Sequence, residues 1–133
     1  MMKTRTEIFE EVKVHLLSQG VRSYAEGACY YRHPQQDLQC AAGCLIPDGM
    51  YEPEMEGLSW VDVCRDFDGP SSLGDSYFIM IMQRIHDAVP PAEWANVFKE
   101  LESVDYTNLS NVELMDLIFN ANRDKYSNTV LSS

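Results

Sequence analysis

Residues 73–88, LGDSYFIMIMQRIHDA, are the stretch that decides the fold. The apolar side chains recur at helical spacing and make one broad stripe, which consists of Leu73, Tyr77, Phe78, Ile81, Met82, Ile85 and Ala88. So broad an apolar stripe predicts the central helix of the fold, because several other elements can pack against it at the same time. Pro90-Pro91 follows directly and ends the helix, since proline does not continue one.

Shorter helices are predicted on both sides of this central helix. They cover residues 4–19, 60–65, 91–101 and 110–121. Capping boxes open the first and the last of them, at Thr4 with Glu7 and at Ser110 with Glu113. Ser59 supplies the cap of the short helix that starts at Trp60.

Residues 27–46, GACYYRHPQQDLQCAAGCLI, predict a β-hairpin, because two short aromatic and apolar runs flank a polar loop at residues 33–37. Gly43 in the return strand marks a bulge or a close backbone approach. Together these patterns predict an α+β fold in which a small antiparallel β-hairpin or sheet packs against four or five helices. We expect residues 1–133 to form a single domain, with a C-terminal tail that frays from about residue 126.

The charge balance restricts the partners that this chain can attract. Its 133 residues include 21 acidic and 10 basic side chains, for a net charge of −11. Such a balance repels nucleic-acid phosphate and favours basic protein surfaces, so we expect no direct nucleic-acid binding. No apolar run reaches the roughly 20 residues that span a bilayer. The sequence also lacks the pattern of a signal peptide, and we expect a cytoplasmic protein without a membrane contact.

An acidic segment from residue 48 to residue 75 is the most unusual feature of the sequence. Carboxylates alternate there with aromatic residues and methionines, which is typical of binding surfaces. On a rigid scaffold such carboxylates could occupy a basic groove built for phosphate. The alternative is a solvated loop beside core aromatics. The residues predicted to bind a partner are Asp48, Tyr51, Glu52, Glu54, Glu56, Trp60, Asp66 and Asp68, with Tyr51 and Trp60 as apolar anchors.

Three cysteines and a histidine in the predicted hairpin suggest a possible metal site. Cys29, His33, Cys40 and Cys44 carry ligand types that suit tetrahedral zinc. Residues four apart on a strand, however, lie about 13 Å apart, which is too far to chelate one ion. Buried cysteines also behave as small apolar residues. We therefore favour core packing for the thiols and expect no cofactor and no catalytic residue.

A second set of residues suggests a different ligand. Arg22, Tyr30, Tyr31 and Arg32 could stack on a nucleotide-like molecule and clamp it, although cross-strand packing also explains the tyrosines. His86-Asp87 ends the central helix, where an imidazole suits the helix dipole. We interpret this pair as a helix cap rather than as a catalytic pair.

The stretch from Tyr31 to Gly57 resembles a motif of small uncharacterised bacteriophage and bacterial proteins, in which Cys-Ala-x-Gly leads into Leu-Ile-Pro-Asp. Here Cys40-Ala41-Ala42-Gly43-Cys44-Leu45-Ile46-Pro47-Asp48 is followed by Tyr51 and by Glu56-Gly57. The resemblance covers roughly residues 26–88. It implies a phage-type accessory protein in the host cytoplasm that inhibits a host or defence protein by stoichiometric binding. The alternative function is a binder, or sponge, of a nucleotide-derived small molecule.

Overall fold

Five α-helices and one two-stranded antiparallel sheet make up the computed structural model, which describes residues 2–120. The elements are α1 (Arg5–Gln19), β1 (Tyr24–Ala25), β2 (Ala28–Cys29), α2 (Trp60–Asp66), α3 (Ser76–Ala88), α4 (Trp94–Ser103) and α5 (Asn111–Met115). Short 3-10 turns connect several of them, and a π-helical turn, Asp116–Asn120, extends α5. The predicted α+β class is confirmed. The predicted end of the last helix at Ala121 and the tail from about residue 126 lie outside the described residues.

Helix α3 lies at the centre of the core, as its apolar stripe predicts. It starts three residues later than expected, because the Asp75 carboxylate accepts hydrogen bonds from the amides of Tyr77 and Phe78 and so caps it. The buried stripe is also rotated toward Ile79 and His86. Tyr77, predicted on the stripe, is therefore 60% exposed.

The two ends of the described chain are joined around an aromatic cluster. The Phe9 ring of α1 stacks on Tyr106 with ring centroids 4.3 Å apart and meets Phe98 of α4 edge-on. Arg5, at the start of α1, donates to the carbonyl oxygens of Tyr106 and Leu109. Because these carbonyls precede α5, the arginine fixes the C-terminal helix against α1.

The local signals for helix termini are accurate elsewhere. Both capping boxes form, at Thr4 with Glu7 and at Ser110 with Glu113. The Ser59 hydroxyl accepts from the amide of Asp62 and opens α2. These signals act over three or four residues, which is why the sequence alone reveals them.

The sequence prediction of the hairpin is wrong in its position. The two strands pair across a turn at Glu26 and Gly27, whose φ angles are 50° and 84°. Two positive φ angles belong to a type I′ turn, which Asn-Gly or Asp-Gly usually occupies, so Glu-Gly gives a weak signal. Around the predicted loop, the structure has only one isolated bridge, between Arg32 and Gln39.

The predicted return strand is a tight turn that ends in a 3-10 helix, Gly43–Leu45. Small residues make this possible, because Ala41 and Ala42 are fully buried and Gly43 lies directly against the backbone of Tyr31. A Cβ atom on Gly43 would stand 2.8 Å from the Tyr31 carbonyl carbon and would overlap its oxygen. The predicted close backbone approach at Gly43 is therefore confirmed, whereas the strand is not.

We expect Gly43→Ala to lower the free energy of unfolding by about 1–3 kcal/mol, because the new methyl group meets backbone that cannot rotate away. Gly49→Ala is the matched control, since a Cβ atom there has no neighbour within 4 Å. That variant should be neutral or slightly more stable. Urea denaturation of both variants checks the expectation, and equal stabilities would contradict the packing at Gly43.

Candidate functional site

Residues 47–57, here called the acidic loop, form an ordered turn followed by a 3-10 helix, Pro53–Met55. The carbonyl oxygen of Pro47 accepts hydrogen bonds from the amides of Met50 and Tyr51, which closes the first turn. Met55 is fully buried and fixes the second half of the loop to the core. The acidic loop therefore has a defined conformation.

Glu56 holds the acidic loop against the segment after β2. Its carboxylate accepts hydrogen bonds from the amides of Tyr31 at 2.9 Å and Arg32 at 3.0 Å, and from the Tyr51 hydroxyl at 2.7 Å. Burial, together with this bond to a carboxylate, raises the pKa of Tyr51 to about 12. Hydrogen bonds to a charged group are the strong ones, so Glu56 has a structural role. Glu56 is half-buried, and its assignment to a partner-binding surface stays a prediction.

Arg32 adds a second connection to the same loop. Its guanidinium lies over the Tyr51 ring, 4.5 Å from the centroid, and donates to the carbonyl oxygen of Ile46 at 3.0 Å. It also pairs with Asp48, whose carboxylate oxygen is 2.9 Å away. Arg32 is thus engaged within the protein rather than open to a ligand.

The acidic loop presents several carboxylates to solvent. Asp48 has a 96% exposed side chain, and Glu52 and Glu54 are exposed without a hydrogen bond or ion pair among residues 2–120. Asp68, farther along the chain, is exposed in the same way, while Asp66 pairs with Arg65. The exposed predicted carboxylates are therefore Asp48, Glu52, Glu54, Asp66 and Asp68.

Neither predicted apolar anchor is an exposed side chain. Trp60 is only 1% exposed and packs in the core beside Tyr31, so its assignment to a binding surface is wrong. Tyr51 is half-buried under Arg32. The Trp60 ring packs against Tyr31 and the Tyr51 ring against Arg32, so neither ring is free to act as an apolar anchor for a partner.

The predicted nucleotide clamp does not form either. Arg22 donates to the carbonyl oxygens of His86 and Val89, each at 2.9 Å, and so caps the C-terminus of α3. Tyr31 is buried, and its hydroxyl donates to the carbonyl oxygen of Leu58. Only Tyr30 of this set is without such a hydrogen bond within the described chain. The cap that we assigned to His86 is thus made by Arg22.

A polar cluster that the sequence does not reveal lies between β2 and the end of α3. It consists of Cys29, His86 and Asp87, whose ligand-type atoms lie within 4.8 Å of one another. Asp87 Oδ1 accepts from His86 Nδ1 at 2.7 Å and from Gln83 Nε2 at 2.9 Å, and the Cys29 sulfur lies beside this carboxylate. The dipeptide His86-Asp87 is visible in the sequence, but its contact with Cys29 depends on the tertiary fold.

The hydrogen bonds of His86 decide what this cluster can bind. The residue is fully buried, and its Nε2 atom accepts a hydrogen bond from the Ser23 amide at 3.0 Å. Nε2 therefore carries no proton, and the neutral ring has its proton on Nδ1, which donates to Asp87. A histidine that binds zinc must offer the metal a free lone pair on one ring nitrogen. In His86 the Nε2 lone pair is used by the Ser23 amide, and Nδ1 carries the proton. This tautomer therefore does not fit a metal site, although the residue types would.

The thiols are not activated. Burial and the neighbouring Asp87 raise the pKa of Cys29 to about 12, and burial raises that of Cys44 to the same value. Burial also raises the pKa values of Cys40 and Cys64. A nucleophilic or metal-binding cysteine needs its thiolate, which these surroundings disfavour.

The weak zinc candidate fails on geometry as well. Among residues 2–120, no three of Cys29, His33, Cys40 and Cys44 come together. The Cys44 thiol donates to the carbonyl oxygen of Ala41, and His33 Nδ1 accepts from the amides of Gln35 and Gln36.

A cavity of about 310 Å³ opens beside the Asp87 cluster, between the hairpin, the start of α2 and α3. The side chains that matter for its chemistry are those of Cys29, Tyr30, Trp60, Gln83, Arg84 and Asp87. The indole Nε1–H of Trp60 is buried and has no acceptor in the described part of the chain. A buried donor without an acceptor is uncommon in folded proteins and calls for an explanation.

Comparison with protein-family profiles, with curated proteins and with solved structures found no match. None of the described helices is long and apolar enough to cross a membrane. The function is therefore argued from the residues of this chain.

We expect Glu56→Gln to lower the free energy of unfolding by about 1.5–3 kcal/mol, because the amide removes the charge that strengthens three hydrogen bonds. Glu54→Gln, in the same loop, should change it by less than about 0.5 kcal/mol. Urea denaturation of both variants measures the difference. Equal effects would contradict the structural role of Glu56.

Asp87 should make stability depend on pH in the acid range. Burial alone would raise the pKa of Asp87, but the interactions of its carboxylate with His86, Cys29 and Gln83 outweigh it, so the pKa lies below its usual value. A lowered pKa adds stability above the unfolded-state value of about 3.9, and this stability is lost as the pH falls through the folded-state value.

Asp87→Asn should therefore cost about 1–3 kcal/mol at neutral pH, and the difference from the parent protein should shrink below about pH 4. Unfolding free energies measured from neutral to acid pH check this expectation, with Asp68→Asn as an exposed control. A difference that stays constant with pH would rule out a lowered pKa for Asp87.

Proposed function

We propose that this chain is a stoichiometric binding protein whose acidic loop docks on a basic surface of another protein. The single observation that carries the proposal is the anchoring of the loop by Glu56 to the amides of residues 31 and 32. It gives the exposed carboxylates of Asp48, Glu52 and Glu54 defined backbone positions.

Pre-arranged charges suit this function for an energetic reason. A loop that is already ordered loses little conformational entropy on binding, so more of the interaction energy appears as affinity. The net charge of −11 adds long-range attraction to a basic partner and speeds association. Because Trp60 and Tyr51 are turned inward, charge rather than apolar burial would dominate the contact, and binding should weaken with salt.

A basic surface of this kind often serves to hold nucleic-acid phosphate. Occupying it would block the nucleic acid, so the proposed binding would inhibit a host or defence protein. The resemblance of roughly residues 26–88 to small bacteriophage and bacterial proteins agrees with such a role. Binding is favoured over catalysis because the Cys29 thiol stays protonated and His86 has no free lone pair.

The test replaces charge without disturbing the loop anchor. Glu52→Lys with Glu54→Lys should weaken binding to a captured and identified partner by at least tenfold, because two attractive contacts become repulsive. Glu26→Lys with Asp37→Lys is the control, since both residues are exposed and the double variant changes the net charge equally. The control should keep its affinity within about twofold.

Isothermal titration calorimetry at two salt concentrations measures both double variants. Equal losses of affinity would mean that only the overall charge matters and would contradict the assignment to the acidic loop. Unfolding curves accompany the titrations, and both variants should unfold close to the parent protein, because none of the four carboxylates makes a hydrogen bond or ion pair among residues 2–120.

A further inference from the structure

We propose that the cavity between the hairpin, α2 and α3 binds a small zwitterion of the size of a single amino acid. The ligand would place its ammonium group at Asp87 and its carboxylate at Arg84 and at the indole N–H of Trp60. The cavity borders the acidic loop at Gly57 but uses none of the exposed carboxylates of the loop, and it needs no protein partner.

Asp87 supplies the negative side of the site. Its carboxylate accepts from two uncharged donors, the neutral His86 ring and the Gln83 amide, and the Cys29 sulfur lies within 4.8 Å. No lysine or arginine lies within ion-pairing distance of it among residues 2–120. The side chain is 42% exposed, so a charged donor can reach it from the cavity. An ammonium group is the donor that would neutralise this charge.

Arg84 supplies the positive side, three residues earlier on the same helix. Its guanidinium lies 5.4 Å from the centroid of the Phe119 ring and has no carboxylate within ion-pairing distance in the described chain. Residues three apart on a helix have Cβ atoms about 5–6 Å apart, so Arg84 and Asp87 face the same region. A molecule that carries an ammonium group and a carboxylate group on the same carbon atom can bind to both side chains at once.

Trp60 gives the independent reason to expect an oxygen atom in this cavity. Its buried Nε1–H has no acceptor within the described chain, and an unsatisfied buried donor lowers stability. A ligand carboxylate can accept from the indole and from a guanidinium together, because it has two oxygens. The donor on Trp60 and the charge on Arg84 therefore favour the same ligand group.

The size and the walls of the cavity limit the rest of the ligand. A volume of about 310 Å³ is at the lower end of small-molecule sites, which excludes a peptide or a dinucleotide. Tyr30 and Leu58 line the wall and offer apolar contacts to a side chain. The class that fits is a free amino acid with an apolar or aromatic side chain.

Nuclear magnetic resonance of the full chain tests the proposal, with the free protein L-amino acids at millimolar concentration as probes. At least one of them should bind saturably and shift the indole N–H resonance of Trp60, which gains an acceptor. For that amino acid, the decarboxylated amine and the deaminated acid should each bind at least tenfold more weakly, because each lacks one of the two charges.

Variants locate the binding in the cavity. Arg84→Gln should reduce the affinity for the amino acid at least tenfold, whereas Arg65→Gln, whose parent side chain pairs with Asp62 and Asp66, should not. Arg84→Gln removes the contact of the guanidinium with the Phe119 ring but no hydrogen bond or ion pair with residues 2–120, and an unfolding curve of the variant checks that the fold is kept. Asp87→Asn provides a second loss of affinity.

Two results would overturn the proposal: no amino acid shifts the Trp60 indole resonance, or binding survives Arg84→Gln unchanged. The double variant Glu52→Lys with Glu54→Lys should still bind the amino acid. A failure of the acidic loop as a docking site and a failure of this cavity as a ligand site are therefore distinguishable.

Discussion

The carboxylate of Glu56 is the constraint on which this part of the structure depends. The sheet has only two pairs of residues, and the amides of Tyr31 and Arg32, which follow β2, donate to the Glu56 side chain rather than to a neighbouring strand. Glu56 replaces that missing strand with two oxygens, and it also accepts from the Tyr51 hydroxyl. The Glu56 side chain thus accepts the hydrogen bonds that a neighbouring strand would accept in a larger sheet. It satisfies two backbone amides that would be costly to bury without an acceptor. The hairpin and the acidic loop consequently form one unit.

The acidic side chains divide into two populations that composition alone does not separate. One population accepts hydrogen bonds from the protein itself, as Asp75 does at the start of α3 and Asp87 at its end. The other population faces water, and Glu52 and Glu54 are its clearest members. A net charge of −11 therefore overstates the number of carboxylates that a partner can contact. The acidic loop contains carboxylates of both kinds within ten residues: Glu56 accepts hydrogen bonds from the protein, and Glu52 and Glu54 face water.

The sequence predicts features that depend on residues close together in the chain, such as helix caps. It does not predict features that depend on contacts between distant segments. Capping at Thr4 and Ser110 and the stripe of α3 involve neighbours three or four residues apart, so the starts of α1 and α5 and the existence of a long buried helix at α3 can be predicted, although α3 begins three residues later than its stripe suggests. The hairpin was misplaced because its turn uses Glu26 rather than the usual asparagine or aspartate. The burial of Trp60 could not be predicted, because it depends on a chain segment about thirty residues away.

The four thiols give the molecule a chemical property of its own. All are reduced, and burial raises the pKa of each, so that the reactive anion is scarce at neutral pH. Oxidants and alkylating agents act on that anion, so the folded chain should resist both far better than its unfolded form. Cys40, the one fully buried thiol among them, serves as a small apolar side chain of the core.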